Sequence, residues 1–219
     1  MPEPKANQTM RDAQAGWDVI VVGAGPGGTT AAALLAERGF RTLVLEKEQF
    51  PRPKIGESLL PALMGVLERL GIQPRDDTFV YKRGARFVSE STNRQQTFAF
   101  ADALPGCASH AWHVDRAKFD LQLRDRAREL GADVRHGETV VDVGADAEEA
   151  WVKTRDGHFT GRYLIDASGQ SRLLARRRDA VAPYTEFGHC AVYTHFEDAR
   201  TDLMGPDYDI RIMLQPEGW

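Results

Sequence analysis

A glycine-rich turn between a buried strand and a helix constrains the fold of this chain more than any other feature. The apolar residues 19–22 lead into Gly23-Ala-Gly25-Pro-Gly-Gly28, and a helical segment and a second apolar strand ending at Glu46 follow. Gly23 allows a tight turn, Gly25 lets the backbone approach a pyrophosphate, and Gly28 lets the helix pack closely on the strand. Glu46 stands 18 residues after Gly28, near the position of the acid that binds a ribose hydroxyl in such units. The sequence therefore predicts a dinucleotide-binding βαβ unit, with an ordinary strand–turn–helix as the alternative.

Composition excludes several classes of protein. A hydrophobic content of 42% and a charged content of 27% are ordinary for a globular protein. The net charge of −4 gives no general attraction to nucleic acid, so no nucleic-acid partner is expected. No apolar run approaches the roughly 18 residues of a membrane span. The two cysteines lack a C-x-x-C pattern and the six histidines lack metal-ligand spacing, which predicts no metal site and a cytoplasmic location.

The pattern along the chain predicts helices alternating with short strands. The expected helices cover residues 23–39, a segment from Ser58 to Gly71 with a stripe of Leu60, Leu63, Leu67 and Leu70, and a segment from Asp115 to Gly131. The expected strands are a hairpin of 79–89 and 95–100, a short antiparallel meander from 132 to 161, a buried strand at 163–166, and two strands of a second antiparallel sheet at 188–197 and 207–214. A simple nicotinamide-binding domain would continue with regular βαβ units. The interruptions instead favour a flavin domain interleaved with a substrate domain.

The segment Asp166-Ala-Ser-Gly169, taken with the glycine turn, resembles the FAD-dependent monooxygenases of the p-hydroxybenzoate-hydroxylase-like fold. The resemblance implies that Asp166 to Gly169 pass close to bound FAD. Residues 112–120 are similar to the segment in which an arginine of that family approaches the flavin, and Arg116 occupies that place. A solvent-exposed arginine at a helix start is the alternative for Arg116.

The segment Phe50-Pro-Arg-Pro-Lys-Ile-Gly-Glu-Ser-Leu-Leu-Pro61 resembles the Gly-Glu-Ser-Leu-Leu-Pro segment of one subgroup, the flavin-dependent halogenases that act on phenols and pyrroles. Halogenases of this kind also carry an essential lysine before a Gly-Ala-x-Phe pattern, and Lys82 stands in such a place. The resemblance implies that halide attacks a flavin hydroperoxide to give hypohalous acid. A lysine suits its delivery, either as an ammonium that activates the acid by hydrogen bonding or as an amine that forms a haloamine, because lysine pKa values shift readily on burial. The alternative is that Lys82 and Arg83 lie on an exposed strand.

Two neighbouring residues, Glu57 and Ser58, bear on the start of the expected helix. Glu57 either orients its loop near the flavin or favours a helix N-terminus, where anions are stabilised. Ser58 is equally suited to cap that helix. The residues that the resemblance implies for FAD binding are Gly23, Gly25, Gly28, Glu46, Lys54, Arg116, Asp166 and Gly169, with Lys82 as the catalytic residue.

The fold expected from these features is an α/β FAD-binding, Rossmann-like (GR2-type) domain with an interleaved antiparallel substrate sheet, incomplete at the C-terminus. Residues 1–16 would form a disordered tail, 17–78 and 111–182 the FAD-binding domain, and 79–110 and 183–219 the start of the substrate sheet. The implied reaction is halogenation of an electron-rich aromatic compound, free or tethered to a carrier protein. It would use FAD, a halide ion and a separate flavin reductase. The alternatives are an aromatic hydroxylase, an isoprenoid-type reductase and a non-enzymatic flavin-binding remnant.

Overall fold

A computed structural model describes residues 16–73, 79–184, 190–198, 210–216 and 218. The predicted tail therefore lies outside the described residues, except for Gly16. The strands are β1 (Trp17–Val22), β2 (Thr42–Glu46), β3 (Val80–Lys82), β4 (Gly84–Ser89), β5 (Arg94–Ala99), β6 (Ala111–His113), β7 (Asp133–His136), β8 (Val140–Ala145), β9 (Ala150–Thr154), β10 (His158–Asp166) and β11 (Ile210–Leu214). The helices are α1 (Pro26–Glu37), α2 (Pro61–Arg69), α3 (Arg116–Glu129) and α4 (Leu173–Arg177).

Contacts divide the chain into two compact units. The first comprises Met1–Arg52 and Asp120–Ala182, and the second Pro53–Phe119 and Pro183–Trp219. The sequence placed the boundaries at 79 and 111, so the described residues 53–73 and 111–119 group differently from that expectation. Ser58 forms a bridge with His113 of β6, and helix α2 also contacts β6. These contacts place the described residues 53–73 in the same unit as β3 and β6.

The first unit is built on a six-stranded sheet with the order β7-β2-β1-β10-β9-β8. The strands β7, β2, β1 and β10 run parallel, whereas β9 and β8 are antiparallel to their neighbours. This mixed α/β architecture confirms the predicted fold class. Of the predicted meander, β8, β9 and the first half of β10 are antiparallel as expected, whereas β7, the first strand expected there, pairs parallel with β2. The two strands expected at 158–161 and 163–166 form one strand, β10.

The core of the first unit lies where the parallel and antiparallel strands meet. Six fully enclosed side chains pack together there, namely Ile20, Val22, Leu43, Leu45, Val143 and Val152. Alternate residues of a strand point to opposite faces, and β1 and β2 are apolar on both, as expected of parallel strands covered on two sides. Burial of this kind fixes the position of the strand ends, where the candidate residues lie.

The second unit contains two smaller sheets. β3 pairs with β6, and a three-stranded sheet has the order β11-β4-β5. The predicted hairpin forms between β4 and β5, but the first predicted strand breaks at Arg83, so that residues 80–82 join the other sheet. β11 is parallel to β4, which differs from the expected antiparallel pairing. Of the strand expected at 188–197, the described residues 190–197 form no strand, and 188 and 189 lie outside the described part.

Helix α2 begins later than the sequence predicted. Its N-cap is Leu60 and its first residue is Pro61, because proline is tolerated in the first turn of a helix, where its missing N–H has no partner to lose. The prediction that Ser58 caps this helix is therefore wrong. Leu60 does not join the buried stripe either, since it is 64% exposed, whereas Leu67 and Leu70 are buried. Among the helices of the described residues, none has both the length and the apolar composition needed to cross a membrane.

Candidate functional site

The glycine turn follows β1 at the carboxyl edge of the parallel strands. The Gly23 N–H donates to the Leu45 carbonyl at 2.9 Å, and Gly23 has a φ of +100°, which favours glycine. A Cβ on Gly28 would lie 1.9 Å from the Gly23 carbonyl oxygen, so only glycine allows this approach of helix and strand. A Cβ on Gly25, in contrast, would meet no atom of the described residues within 4 Å.

This arrangement fits a dinucleotide. The first intrahelical bond of α1 runs from the Thr29 N–H to the Gly25 carbonyl at 3.0 Å. The N–H groups of Gly27 and Gly28 precede that bond, and Pro26 has none to offer. The helix therefore presents two N–H groups and its positive dipole end beside the open space at Gly25, which is what a pyrophosphate requires.

Glu46 ends β2 next to this turn. Its side chain is buried, with a residue exposure of 5%. One carboxylate oxygen accepts the Ala24 N–H at 2.8 Å, and the other accepts the Glu48 N–H at 2.9 Å. A carboxylate can accept about four hydrogen bonds, so both oxygens retain capacity for a ribose hydroxyl. Glu46 thus also ties the glycine turn to the end of β2, a role that the sequence did not reveal.

Asp166 ends β10 on the other side of β1 and pairs with Val22. Its carboxylate accepts the Ser168 N–H at 3.0 Å and the Leu174 N–H at 2.8 Å. Burial alone would raise the pKa of Asp166, but hydrogen bonds from the Ser168 side chain and from the Leu174 and Ser168 backbones lower it below its usual value. The resulting anion orders the turn that contains Gly169, whose φ of +61° is left-handed.

Arg52 is a buried residue of the first unit that the sequence analysis missed. Its guanidinium lies 2.9 Å from the Asp120 carboxylate and 3.8 Å from that of Glu46, and it covers the Phe50 ring at 4.3 Å. Its Nε atom is 3.2 Å from Glu48 but has no hydrogen-bond geometry to it. Arg52 therefore compensates a cluster of acids at the end of β2. Its only signal in the sequence is an arginine between two prolines.

His136, at the end of β7, lies opposite Glu46. Its Nδ1 is 3.1 Å from the Glu48 carbonyl, and its buried Nε2 has no hydrogen-bond partner among the described residues. Burial lowers the pKa of His136, and the charges of Arg124 and Arg128 add to this, against the raising effects of the Glu48 carbonyl and Glu46. The neutral imidazole is therefore the form that the fold favours.

Among the described residues of the second unit, Lys82 has the most buried ionisable side chain, with an exposure of 1%. Its ammonium donates to the Ser58 hydroxyl at 2.7 Å and to the Leu59 carbonyl at 2.5 Å, and it lies 5.1 Å from the centre of the Phe100 ring. The alternative of an exposed Lys82–Arg83 pair is therefore wrong for Lys82, whereas Arg83 is exposed. Position 84, at the start of β4, requires glycine, because a Cβ there would lie 2.4 Å from the Phe98 carbonyl oxygen.

Arg116 holds the turn that precedes Ser58. Its Nη1 donates to the Ile55 carbonyl at 2.8 Å and is 3.4 Å from that of Gly56. Asp115 caps α3 as predicted, since its carboxylate accepts the Ala117 N–H at 2.9 Å. Glu57 lies before α2 rather than in it, and its carboxylate accepts the Gly56 N–H at 3.3 Å. These contacts make residues 55–59 a fixed segment.

The candidate residues therefore fall into two groups. The first unit brings together Gly23, Gly25, Gly28, Glu46, Asp166 and Gly169 at one sheet edge. The second unit contains Lys54, Lys82 and Arg116, of which Lys82 and Arg116 contact the same segment and Lys54 is exposed. No group of three or more histidine, cysteine, aspartate or glutamate side chains suited to a metal ion occurs in the described part of the chain.

The family model described as FAD binding domain matches residues 16–200. The 1H-pyrrole-2-carbonyl-peptidyl-carrier protein chlorinase of Pseudomonas fluorescens is 31% identical over 216 residues, which cover 87% of this chain and 48% of the relative. The monodechloroaminopyrrolnitrin halogenase PrnC of Pseudomonas fluorescens is 34% identical over 182 residues, covering 74% of this chain and 32% of the relative. The chain thus spans half or less of the length of these curated relatives.

Solved structures show a similar likeness. The myxobacterial chondrochloren halogenase CndH aligns with a TM-score of 0.61 and 36% identity, over 70% of this chain and 37% of that one. A flavoprotein/dehydrogenase from Cytophaga hutchinsonii aligns with a TM-score of 0.66 and 35% identity, over 73% of this chain and 41% of that one.

Proposed function

This chain belongs to the FAD-binding domain family, and since its curated relatives include flavin-dependent halogenases, we propose that it serves the FADH2- and O2-dependent halogenation of an electron-rich aromatic substrate. The observation that carries the proposal is the burial of Lys82 beside the Ile55–Pro61 segment. A lysine is almost never fully buried unless it is paired, and the lysines that enzymes use as catalytic groups are typically buried ones. A buried ammonium is well suited to hold hypohalous acid away from water and to make it more electrophilic.

The first unit would hold the cofactor. The N–H groups of Gly27 and Gly28 would bind the pyrophosphate, and Glu46 would accept a ribose hydroxyl while it anchors the turn. Asp166 would shape the turn of Gly169 beside the cofactor. Bound reduced FAD would supply the electrons with which O2 is activated to oxidise halide.

The second unit would act on the oxidant. Lys82 would be the catalytic residue, and Arg116 and Lys54 would be further contacts to FAD. A carrier-tethered aromatic acid is one substrate class, supported by the carrier-protein chlorinase among the relatives. A separate flavin reductase would supply reduced FAD. The cysteines at 107 and 190 are free and exposed, which supports a reducing, cytoplasmic location.

Dehydrogenation is a second candidate, because the Cytophaga hutchinsonii flavoprotein/dehydrogenase shares 35% identity with this chain. A dehydrogenase would need no halide and would turn over with an electron acceptor other than oxygen. An enzyme acting through Lys82 in halogen delivery would need both halide and oxygen.

The test uses the protein expressed from its complete reading frame. It is supplied with reduced FAD, oxygen and bromide, together with phenols, pyrroles, indoles and a carrier-tethered pyrrole, and the products are analysed by mass spectrometry. A bromine isotope doublet supports the proposal. A single added oxygen would identify a hydroxylase instead, and anaerobic turnover with an electron acceptor would identify a dehydrogenase.

Two matched variants test the role of Lys82. Lys82→Met keeps most of the side-chain length without the ammonium, and Arg83→Met removes a neighbouring, exposed cation. Positioned proton-donating side chains contribute about 100- to 10,000-fold to a rate, so Lys82→Met should lose at least about 100-fold in bromination, while FAD binding and the oxidation of FADH2 by oxygen continue. Arg83→Met should brominate normally. Loss of FAD binding in Lys82→Met alone would make Lys82 structural.

A further inference from the structure

We propose that Ser58 is a positioning residue that carries protons between the buried Lys82 ammonium and solvent. This inference rests on the proposed role of Lys82 in halogen delivery. It concerns a residue that neither the motif nor the predicted helix cap explains, since Ser58 lies outside α2.

Backbone pairing fixes Ser58 at the edge of the β3–β6 sheet. Ser58 forms an antiparallel bridge with His113. The Leu59 N–H donates to the Trp112 carbonyl at 2.9 Å, and the Val114 N–H donates to the Glu57 carbonyl at 2.8 Å. Residues 57–59 therefore run alongside β6 through this isolated bridge, and β3 lies on the other side of β6.

Lys82 must cross β6 to reach Ser58. It lies directly opposite Ala111 of β6, and Ala111 has an exposure of 0%. Since the alanine side chain is a single methyl group, it leaves room for the lysine chain to pass to residues 57–59. The ammonium then meets the Ser58 hydroxyl and the Leu59 carbonyl at the end of this path.

Three contacts of the ammonium, with Ser58, Leu59 and Phe100, differ in what they can do with a proton. The Leu59 carbonyl accepts a hydrogen bond but has no proton to pass on, and the same holds for the Phe100 ring. The Ser58 hydroxyl accepts from Lys82 and can donate its own proton elsewhere. Ser58 is also only half-buried, whereas Lys82 is 1% exposed. Of these three partners, Ser58 is the one that can connect Lys82 to water.

The step balances without any further reactant. Lys82 transfers one ammonium proton to the Ser58 oxygen while the original hydroxyl proton leaves to a water molecule, so the serine is unchanged and Lys82 becomes an amine. The reverse transfer restores the ammonium. A lysine that must hold an oxidant as an ammonium, or capture its halogen as an amine, needs such a route to return to its starting state.

The experiment measures hydrogen exchange of the Lys82 ammonium by NMR in the resting protein labelled with 15N-lysine, from the complete reading frame. The variants are Ser58→Ala, Ser58→Thr, which keeps a hydroxyl, and Ser91→Ala, which removes an exposed serine from the β4–β5 turn. We expect exchange to slow by about tenfold or more in Ser58→Ala, because a positioned proton-transferring side chain is lost. Ser58→Thr and Ser91→Ala should exchange like the unmodified protein.

A second readout separates this inference from the function on which it rests. In bromination, Ser58→Ala should lower kcat by about 100-fold with KM for bromide unchanged, and Ser58→Thr should restore it. Should Ser58→Ala fail to fold, Ser58→Cys, whose thiol is a weak hydrogen-bonding group, replaces it. The proton relay would be overturned if Ser58→Ala exchanged as fast as the unmodified protein, or if Ser58→Thr exchanged as slowly as Ser58→Ala. Absence of bromination with slowed exchange would overturn the halogenase function alone.

Discussion

Removal of the Arg52 guanidinium should destabilise the protein more than removal of any surface cation. Arg52→Met keeps an apolar side chain of similar length but removes the cation that lies 2.9 Å from the Asp120 carboxylate, whose side chain is 0% exposed. Breaking a buried pair by truncating one partner costs about 3–5 kcal/mol. The free energy of unfolding of a whole domain is only about 5–15 kcal/mol, so this one substitution should remove a large part of the stability.

A matched control separates burial from the ion pair itself. Arg135 and Asp133 also form an arginine–aspartate pair, at 2.7 Å, but both side chains are 40% exposed. Exposed pairs contribute about 0–1 kcal/mol, so Arg135→Met should have little effect. Adding Asp120→Asn to Arg52→Met should recover about 0.5–3 kcal/mol of stability, the usual range for residues in contact, because the buried carboxylate that lost its arginine is then replaced by a neutral amide.

The assay is urea unfolding of each variant from the complete reading frame, monitored by tryptophan fluorescence. Destabilisation appears as a lower midpoint with an unchanged slope. Equal losses in Arg52→Met and Arg135→Met would refute the reasoning, and so would a double variant no more stable than Arg52→Met alone.

Two further predictions concern the glycine turn and a histidine. Gly28→Ala should prevent folding of the first unit, because its Cβ would lie 1.9 Å from the Gly23 carbonyl oxygen. Gly25→Ala would meet no described atom within 4 Å, so this variant should fold and only bind FAD more weakly. Thermal unfolding and FAD titration test both variants, and a Gly25→Ala protein that does not fold would contradict this explanation. The pKa of His136 is lower in the folded protein than in the unfolded chain, where it is about 6.5. The stability that depends on neutral His136 is therefore complete above about pH 6.5 and is lost as the pH falls through the pKa of the folded protein. His136→Gln should therefore lose less stability than the unmodified protein between about pH 7 and 5, and identical pH profiles would contradict this.

The sequence predicted the parts of the fold that depend on local pattern. The glycine turn, the buried strand of residues 19–22 and the cap at Asp115 need only nearby residues, and all three are present. The position of Glu46 at the end of β2 follows from the spacing of the βαβ unit, whereas Asp166 at the end of β10 was implied by the family resemblance.

The contacts that the sequence did not reveal join residues far apart in the chain. Arg52 meets Asp120 across 68 positions, and Lys82 meets Ser58 across 24. Hydrophobic periodicity in the sequence does not indicate such partners, because these contacts depend on how separate helices and strands pack together. The strand break at Arg83 has the same origin, since β3 finds its partner in β6 rather than in the hairpin.

Strand β10 has a consequence for how this domain can change in length. Its first half pairs antiparallel with β9 and its second half parallel with β1, and Gly161 lies at the junction, opposite both Ala150 and Trp17. A Cβ on Gly161 would lie 2.9 Å from the Trp17 carbonyl oxygen. Side chains alternate between faces, so one residue inserted between Gly161 and Asp166 would turn the carboxylate to the opposite face. Changes in length are therefore expected to be tolerated in the turns of the meander, whereas the five-residue spacing from Gly161 to Asp166 must stay constant for the carboxylate to keep its face.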